Sequence, residues 1–252
     1  MASNPPSSCC VIGVKHDGET RGEDIKIDTI DAYISEPTGD NIHKNTAILI
    51  MPDVIGIWQN SKLIADQFAA NGYFSLLIDT FNGDPIPLNR PDGFDFNSWM
   101  SKGTGGNNPH TKATVDPIIE KGISYLKNKS FTKIGGVGYC FGAKYVARFL
   151  SAGKGLDAGF VAHPSFVDEE ELAAINGPFS IAAAEVDSIF PQDKRHKSED
   201  ILMKTGKPFQ INLFSGVSHG FAVRCDLSVK IEKFSKEMAF LQAVNWFDEY
   251  LC

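Results

Sequence analysis

The sequence lacks the features that mark nucleic-acid-binding, membrane and secreted proteins. Asp and Glu outnumber Lys and Arg by 31 to 24, so the net charge is -7, whereas binding to phosphate backbones depends on clustered Lys and Arg. No apolar run approaches the ~20 residues of a membrane-spanning helix. The polar N-terminus MASNPPSSCC does not have the basic-then-apolar order of a secretion signal. These absences predict a cytoplasmic protein with a small-molecule ligand and without nucleic-acid or membrane partners.

The cysteines do not form a disulfide or zinc-binding pattern. They are odd in number and scattered along the chain, at Cys9, Cys10, Cys140, Cys225 and Cys252. Such a distribution is typical of reduced thiols in an intracellular protein. Because no CxxC motif or Cys/His cluster is present, we predict no metal site.

The chain of 252 residues, 42% of them hydrophobic, is long enough to bury a large core, and we predict a single domain over 1–252. Short apolar runs alternate with amphipathic segments, which is typical of parallel strands joined by crossover helices. We therefore predict an α/β fold with a mostly parallel, doubly wound sheet flanked by helices. The predicted strands are 32–35, 47–51, 74–79, 134–139, 159–162, 179–184 and 209–214, and the predicted helices are 61–70, 115–127, 143–151 and 234–250.

The segment 81–111 is rich in Gly, Pro and Asn and contains Phe94, Phe96 and Trp99. A loop of this length in a compact domain is usually functional or mobile. Two interpretations are open: a lid over the site, or a surface excursion whose aromatic side chains attach it to the body of the protein.

The strongest motif is Gly138-Tyr139-Cys140-Phe141-Gly142, which follows an apolar run and precedes a predicted helix. This arrangement predicts a nucleophile elbow, in which flanking glycines let a sharp strand-to-helix turn pass closely. The turn also places Cys140 at a helix N-terminus, where a thiolate is favoured. Without further context, a buried Cys acting as a small hydrophobic residue would explain the motif better.

Candidate partners of Cys140 follow later strands in the order expected for this chemistry. Asp187 comes after the run 179–184, and His219 comes after 209–214. Taken singly, each is more typical of a turn. Their order, nucleophile then acid then histidine, predicts that Cys140 is the nucleophile, His219 the base and Asp187 the residue that orients the base.

At this point the sequence resembles a known family. The segment GYCFGAK, the Asp after the penultimate strand and the segment SHGF are similar to those of the dienelactone hydrolase family, over nearly the whole chain. The segments CCVIGVKHDGET and SHGFAVRCD resemble its fungal branch. The resemblance implies an α/β-hydrolase fold, a triad of Cys140, His219 and Asp187, and neither a metal nor an organic cofactor.

The predicted oxyanion hole consists of two backbone N–H groups. Phe141, directly after the nucleophile, supplies one. The resemblance implies Val54 for the other, with Ile55 as the alternative. Asp53 stands where the family has Glu, a residue thought to engage the thiol; it is expected to line the substrate site, although a turn-forming role is equally compatible.

The residues that would bind the substrate depart from the family pattern. Arginines hold the carboxylate of the simplest family substrates. The segment 79–84 contains no Arg, and Gly83 occupies the position nearest to the arginine of bacterial family members. Arg224 is a candidate replacement, with an exposed surface charge as the other interpretation. This departure favours a bulkier or less charged ester or lactone.

Three further side chains are candidates for the pocket wall. His163 follows a predicted strand on the side that faces the site. Trp58 and Tyr139 are the others. Structural roles in the core would explain all three as well.

These residues predict a cysteine-dependent hydrolase that cleaves a small activated ester or lactone through a thioester intermediate. The alternatives are a lyase or isomerase step on the same scaffold, and a non-catalytic binding protein. The partner would be a small-molecule ester or lactone, and the protein a monomer or a homodimer.

Overall fold

A computed structural model describes residues 1–90 and 93–252 and confirms the α/β architecture. An eight-stranded sheet lies at its centre, in the order β1-β2-β4-β3-β5-β6-β7-β8. The first two pairings, β1 with β2 and β2 with β4, are antiparallel, and all later neighbours are parallel. The strands are β1 Glu23–Ile27, β2 Ile30–Ser35, β3 Thr46–Met51, β4 Phe74–Ile78, β5 Lys133–Tyr139, β6 Ala158–Ala162, β7 Phe179–Val186 and β8 Phe209–Ser218.

Helices cover both faces of this sheet and bury two apolar clusters. Strands buried on both faces carry continuous apolar runs, as in β3, where every residue is buried. The helices are α1 Gln59–Ala70, α2 Phe96–Lys102, α3 Lys112–Asn128, α4 Gly142–Phe149, α5 Glu169–Ala173, α6 Gln192–Thr205, α7 Phe221–Arg224 and α8 Lys230–Leu251.

All of the predicted strands and helices are present, but the structure has additional elements. The edge strand β1 is largely exposed and contains Glu23, Asp24 and Lys26, so no apolar run marks it. Half of the residues of helix α6 are charged, and three of its fourteen residues are buried. Polar, exposed elements like these carry little hydrophobic periodicity, which is why they were not predicted.

The described part of the segment 81–111 is packed against the body of the protein. It includes α2, whose Trp99 is buried and donates from Nε1 to the carbonyl of Asp84 at 3.0 Å. His110, also buried, contacts the Asp84 carboxylate at 3.0 Å. These contacts favour the interpretation in which aromatic side chains attach the segment. Residues 91 and 92 of the predicted loop lie outside the described residues.

Among the described residues, none of the helices is both long and apolar enough to cross a bilayer. The predicted cytoplasmic location and the oligomeric state stay predictions.

The carboxyl ends of the parallel strands meet along one edge of the sheet. Asp53 follows β3, Cys140 follows β5, Asp187 follows β7 and His219 follows β8. Because open α/β sheets place their sites outside these strand ends, this edge is where functional side chains are expected to gather.

Candidate active site

Cys140 occupies a tight turn between β5 and α4, in the left-handed backbone region at φ 50°. The turn needs glycine on both sides. A Cβ on Gly138 would come within 2.7 Å of the Gly142 backbone, and a Cβ on Gly142 would overlap the carbonyl oxygen of Met51. The positive φ of a non-glycine residue is a strained arrangement, and it presents the thiol at the start of α4.

His219 and Asp187 form a buried hydrogen-bonded pair beside this turn. Nδ1 of His219 lies 2.9 Å from Oδ2 of Asp187. The other carboxylate oxygen of Asp187 accepts hydrogen bonds from the amides of Ile189 at 2.8 Å and Phe190 at 3.0 Å. The carboxylate is therefore fixed by its own loop, and it orients the imidazole so that Nε2 points away from it.

A second thiol, which was not predicted, lies between Cys140 and His219. Sγ of Cys10 is 3.4 Å from Sγ of Cys140 and 3.5 Å from Nε2 of His219. Ser165 Oγ also lies 3.5 Å from the Cys140 sulfur. In the sequence, Cys10 is one of five scattered cysteines and part of a segment that resembles the fungal branch, and nothing in its local spacing indicates that it reaches the site.

Cys10 is brought to the site by the N-terminal segment, defined here as residues 1–14. The segment crosses the carboxyl edge of the sheet and contains a short 3-10 helix, Ser8–Val11. Hydrogen bonds fix it at both ends: Ala2 N–H donates to Val167 at 2.8 Å, and Val14 N–H donates to Arg224 at 2.9 Å. The segment covers Cys140, whose exposed fraction is 0%.

Electrostatics favour a thiolate at Cys140. Burial by itself would raise the pKa of this thiol, but hydrogen bonding to Cys10 and the positive charges of His219 and Arg224 hold it well below its ordinary value. Burial opposes protonation of His219, yet the Cys140 charge and the Asp187 hydrogen bond raise its pKa to about 10. These interactions favour a thiolate–imidazolium pair.

The pKa of the neighbouring thiol, Cys10, shifts in the opposite direction. The hydrogen bonds with Cys140 and Cys9, together with burial, raise the pKa of Cys10 well above its ordinary value. Cys10 therefore stays protonated beside the Cys140 thiolate, and its S–H group can act as a hydrogen-bond donor.

Arg224 is buried and not a surface charge, so the exposed interpretation is wrong. Its Nη1 is 2.5 Å from Oδ2 of Asp53, and its Nε donates to the carbonyl of Ile12 at 2.9 Å. Asp53 also accepts from the amide of Ile55 at 3.1 Å. Burial, opposed by the charge of Arg224, raises the pKa of Asp53 to about 6.

The two amides chosen for the oxyanion hole are available as donors. Within residues 1–90 and 93–252, neither Val54 N–H nor Phe141 N–H has a hydrogen-bond acceptor. The Ile55 amide is engaged by Asp53. Val54 is thus the better of the two candidates in its loop.

The remaining predicted pocket residues lie around the site without reaching its cavity. His163 is fully buried with φ 39°, and its ring stands edge-on to that of His219 at 5.0 Å. Burial and the charges of His219 and Arg224 hold the pKa of His163 well below its ordinary value. Tyr139 is buried 6.0 Å from the His163 ring, and Trp58 is half-buried against both apolar clusters.

A cavity of about 450 Å³ opens beside His219. Arg224 is the one predicted substrate-binding residue in its wall. The wall is formed by Cys9, Ile12, Gly13, Val14, Val186, Ser188, Ser218, His219, Gly220, Phe221, Arg224, Cys225, Asp226 and Glu232. Its size falls within the range of small-molecule sites, about 300–1,000 Å³.

Two groups of side chains have the spacing of metal ligands. The donor atoms of Cys10, Cys140 and His219 all lie within 4.8 Å of one another, as do those of an outer group, His43, Asp248 and Cys252. The inner three already engage one another as a thiol–imidazole centre, so we assign no metal to them. The outer group is partly or fully exposed, and nothing else there indicates a cation.

Comparison with known proteins identifies the family of the chain. A sequence profile described as "Dienelactone hydrolase family" matches residues 30–251. The chain belongs to the dienelactone hydrolase family. This confirms the resemblance seen in the sequence and the predicted enzyme class, a hydrolase.

Three fungal relatives illustrate the relationship. Hydrolase pyvD of Aspergillus violaceofuscus is 47% identical over 253 residues, which cover 100% of this chain and 99% of that protein. Hydrolase tropI of Talaromyces stipitatus is 48% identical, with the same coverage. Dienlactone hydrolase 1 of Gibberella moniliformis is 34% identical, and the match covers 100% of this chain and 96% of that protein.

The fold of the family is also found among solved structures. A putative dienelactone hydrolase from Klebsiella pneumoniae superposes with a TM-score of 0.74 at 14% identity, covering 91% of this chain and 99% of the other. At this identity the similarity concerns the fold alone.

Proposed function

We propose that this member of the dienelactone hydrolase family cleaves a small activated ester or lactone, with Cys140 as nucleophile and a thioester as intermediate. The observation that carries the proposal is the position of a thiolate at a strained strand-to-helix turn, beside an imidazole that a buried carboxylate orients. A binding protein has no physical need for this combination.

The first half-reaction begins with attack of the Cys140 thiolate on the substrate carbonyl. The amides of Val54 and Phe141 would stabilise the negative charge that develops on the carbonyl oxygen. The His219 imidazolium then donates its proton to the departing alkoxide or enolate. Asp187 holds the ring in the required orientation throughout.

In the second half-reaction, neutral His219 removes a proton from water, and the hydroxide attacks the thioester. Collapse of this second tetrahedral intermediate releases the acid and regenerates the Cys140 thiolate. His219 retains the proton taken from water, so the centre returns to its thiolate–imidazolium state.

The contacts of Arg224 bear on the substrate class. Its guanidinium bonds to Asp53, Ile12 and, at 3.3 Å, the carbonyl of Cys9. These contacts neutralise the charge that would otherwise attract a substrate carboxylate. Ile12, Val14 and Phe221 contribute apolar surface to the cavity wall. A weakly charged, partly apolar carbonyl compound with a good leaving group fits these features best.

The test is turnover of a panel of enol lactones and aryl esters in water enriched in heavy oxygen. We expect the wild type to act and its product to carry one solvent oxygen, while Cys140→Ala is inactive. Cys252→Ser, which removes an exposed thiol outside both the triad and the cavity wall, is the matched control.

The other possible outcomes of this experiment distinguish the alternative functions. Turnover without solvent oxygen would indicate a lyase or isomerase. Equal activity of Cys140→Ala and wild type would exclude Cys140 as nucleophile. No turnover with any member of the panel would leave a binding protein as the better account.

A further inference from the structure

We propose that Cys140 is an oxidation site for hydroperoxides, and that Cys10 is its resolving thiol, closing a reversible Cys10–Cys140 disulfide. The inference extends the proposed function, because it rests on the same reactive Cys140. Its consequence is that oxidation switches the nucleophile off without destroying it.

The geometry carries the first step of the argument. The two sulfur atoms are 3.4 Å apart, and a disulfide bond is about 2.05 Å long, so they need to approach by about 1.4 Å. Both side chains are fully buried, and no other atom has to be displaced from between two sulfurs already in contact. Rotation of the thiols and a shift of the 3-10 helix would bring about this approach.

The N-terminal segment keeps Cys10 at this position. The Cys10 amide donates to the Ser7 carbonyl at 2.9 Å, and the carbonyl of Val11 accepts from the Asn89 amide at 2.7 Å. Further along, the guanidinium of Arg224 binds the carbonyls of Cys9 and Ile12. A thiol held this way is available to the nucleophile at all times, which is what a resolving cysteine requires.

The charge states of the two thiols suit the two roles. The thiolate is the species that reacts with peroxides. The pKa of Cys140 is lowered, and hydrogen bonding to Cys10 lowers that of Cys9 to about 6; of these two thiols, Cys140 is placed with its sulfur 3.4 Å from that of Cys10 in the buried centre. The pKa of Cys10 is raised, so it does not compete for the oxidant. Cys9 and His219 line the cavity of about 450 Å³, so a small hydroperoxide in it would lie against the histidine that contacts Cys10.

The oxidation proceeds in two balanced steps. The Cys140 thiolate attacks the outer oxygen of the hydroperoxide, the O–O bond breaks, and the departing alkoxide or hydroxide takes the proton of His219. This leaves a sulfenic acid and neutral His219. The sulfur has lost two electrons, and the hydroperoxide has gained two.

In the second step, His219 removes the proton of Cys10, and the new thiolate attacks the Cys140 sulfur. The S–S bond forms, and hydroxide leaves and takes the proton back from His219 as water. Without Cys10, the sulfenic acid would remain open to further oxidation to the sulfinic and sulfonic acids.

The experiment treats the full-length protein with hydrogen peroxide, digests it without reductant and maps thiols and cross-linked peptides by mass spectrometry. We expect one major cross-link, Cys10 to Cys140, and loss of activity that dithiothreitol reverses almost fully. In Cys10→Ser the cross-link is absent and Cys140 carries sulfinic and sulfonic acid. That variant should regain less than about a tenth of its starting activity.

Cys252→Ser is the matched control and should behave as the wild type, because its exposed thiol lies outside this cluster and outside the cavity wall. Cys9→Ser tests the neighbouring thiol and should keep the Cys10–Cys140 cross-link. Should Cys10→Ser fold poorly, Cys10→Ala provides the same measurement.

A wild-type digest in which the Cys10–Cys140 peptide is absent would overturn the inference, as would full recovery of oxidised Cys10→Ser. The peptide map requires no turnover, so the two proposals are separable. A disulfide in a protein that cleaves no ester would refute only the proposed function. Turnover in a protein that forms no disulfide would refute only this inference.

Discussion

Arg224 and Asp53 form an ion pair that is almost completely buried beneath the N-terminal segment, with side-chain exposures of 1% and 0%. Removing one partner leaves the other charge buried and uncompensated, which costs about 3–5 kcal/mol. We therefore expect Asp53→Asn and Arg224→Met each to lower the free energy of unfolding by that amount.

The free energy of unfolding of the double variant Asp53→Asn/Arg224→Met should fall by less than the sum of the decreases in the two single variants, because no unpaired charge remains. Urea unfolding of all four proteins measures the difference. If the decreases in unfolding free energy of the two single variants add up to that of the double variant, the two residues do not act as a coupled pair.

Asp187→Asn should reduce kcat/KM while leaving the fold intact. An amide oxygen can still accept from Ile189 and Phe190, so the loop is retained. The amide nitrogen, however, cannot accept from Nδ1 of His219, and the imidazole loses its orienting partner. From the effect of the same change in a serine triad we expect a loss of about 10²- to 10⁴-fold, measured on the best substrate of the panel. Near-normal kcat/KM in a folded variant would rule out this role for Asp187.

The thiols should differ in how alkylation depends on pH. Because the pKa of Cys140 is lowered, its thiolate is already formed at neutral pH, and its rate with iodoacetamide should stay level as pH rises from 7 to 9. Burial raises the pKa of Cys225 to about 11. Below that pH its thiolate fraction, and hence its rate, should rise about tenfold per pH unit. Peptide mapping of the alkylated protein separates the two sites; a Cys140 rate that climbs like that of Cys225 would contradict the thiolate.

Activity should fall as pH rises through the pKa of His219. Its pKa is raised to about 10 in the folded protein, so the imidazolium that protonates the leaving group is present below that pH and lost above it. We expect the alkaline limb of kcat/KM near pH 10 instead of near 6.5, the ordinary value for histidine. A pH–rate profile under conditions where the protein stays folded provides the measurement.

Gly142, two residues after Cys140, should tolerate no side chain. A Cβ at Gly142 would overlap the Met51 carbonyl oxygen, a backbone atom that cannot move aside without disturbing β3. We expect Gly142→Ala to be unfolded or destabilised by more than about 2 kcal/mol. The control is Gly105→Ala, where the nearest atom is the flexible end of Asn107 at 3.3 Å; its unfolding midpoint should be nearly unchanged.

The part of the site that could be predicted from sequence is the part that local patterns encode. Cys140, Asp187 and His219 each follow an apolar run, and parallel strands bring such positions to one edge of the sheet. Cys10 follows no strand, and its partner His219 is 209 residues away. The burial of Arg224 depends on Asp53, 171 residues earlier. Contacts of this kind leave no local periodicity, so a single sequence does not reveal them.

The large distance in sequence between Cys10 and His219 also affects how the site is assembled during synthesis. The N-terminal segment leaves the ribosome well before its binding partners around Val167, His219 and Arg224 are made. Domains fold as units once their chain is available, and closing so long a loop is slow relative to local folding. The nascent chain therefore carries Cys10 as an unattached thiol until the sheet is finished, and docking of the segment is the step that completes the centre.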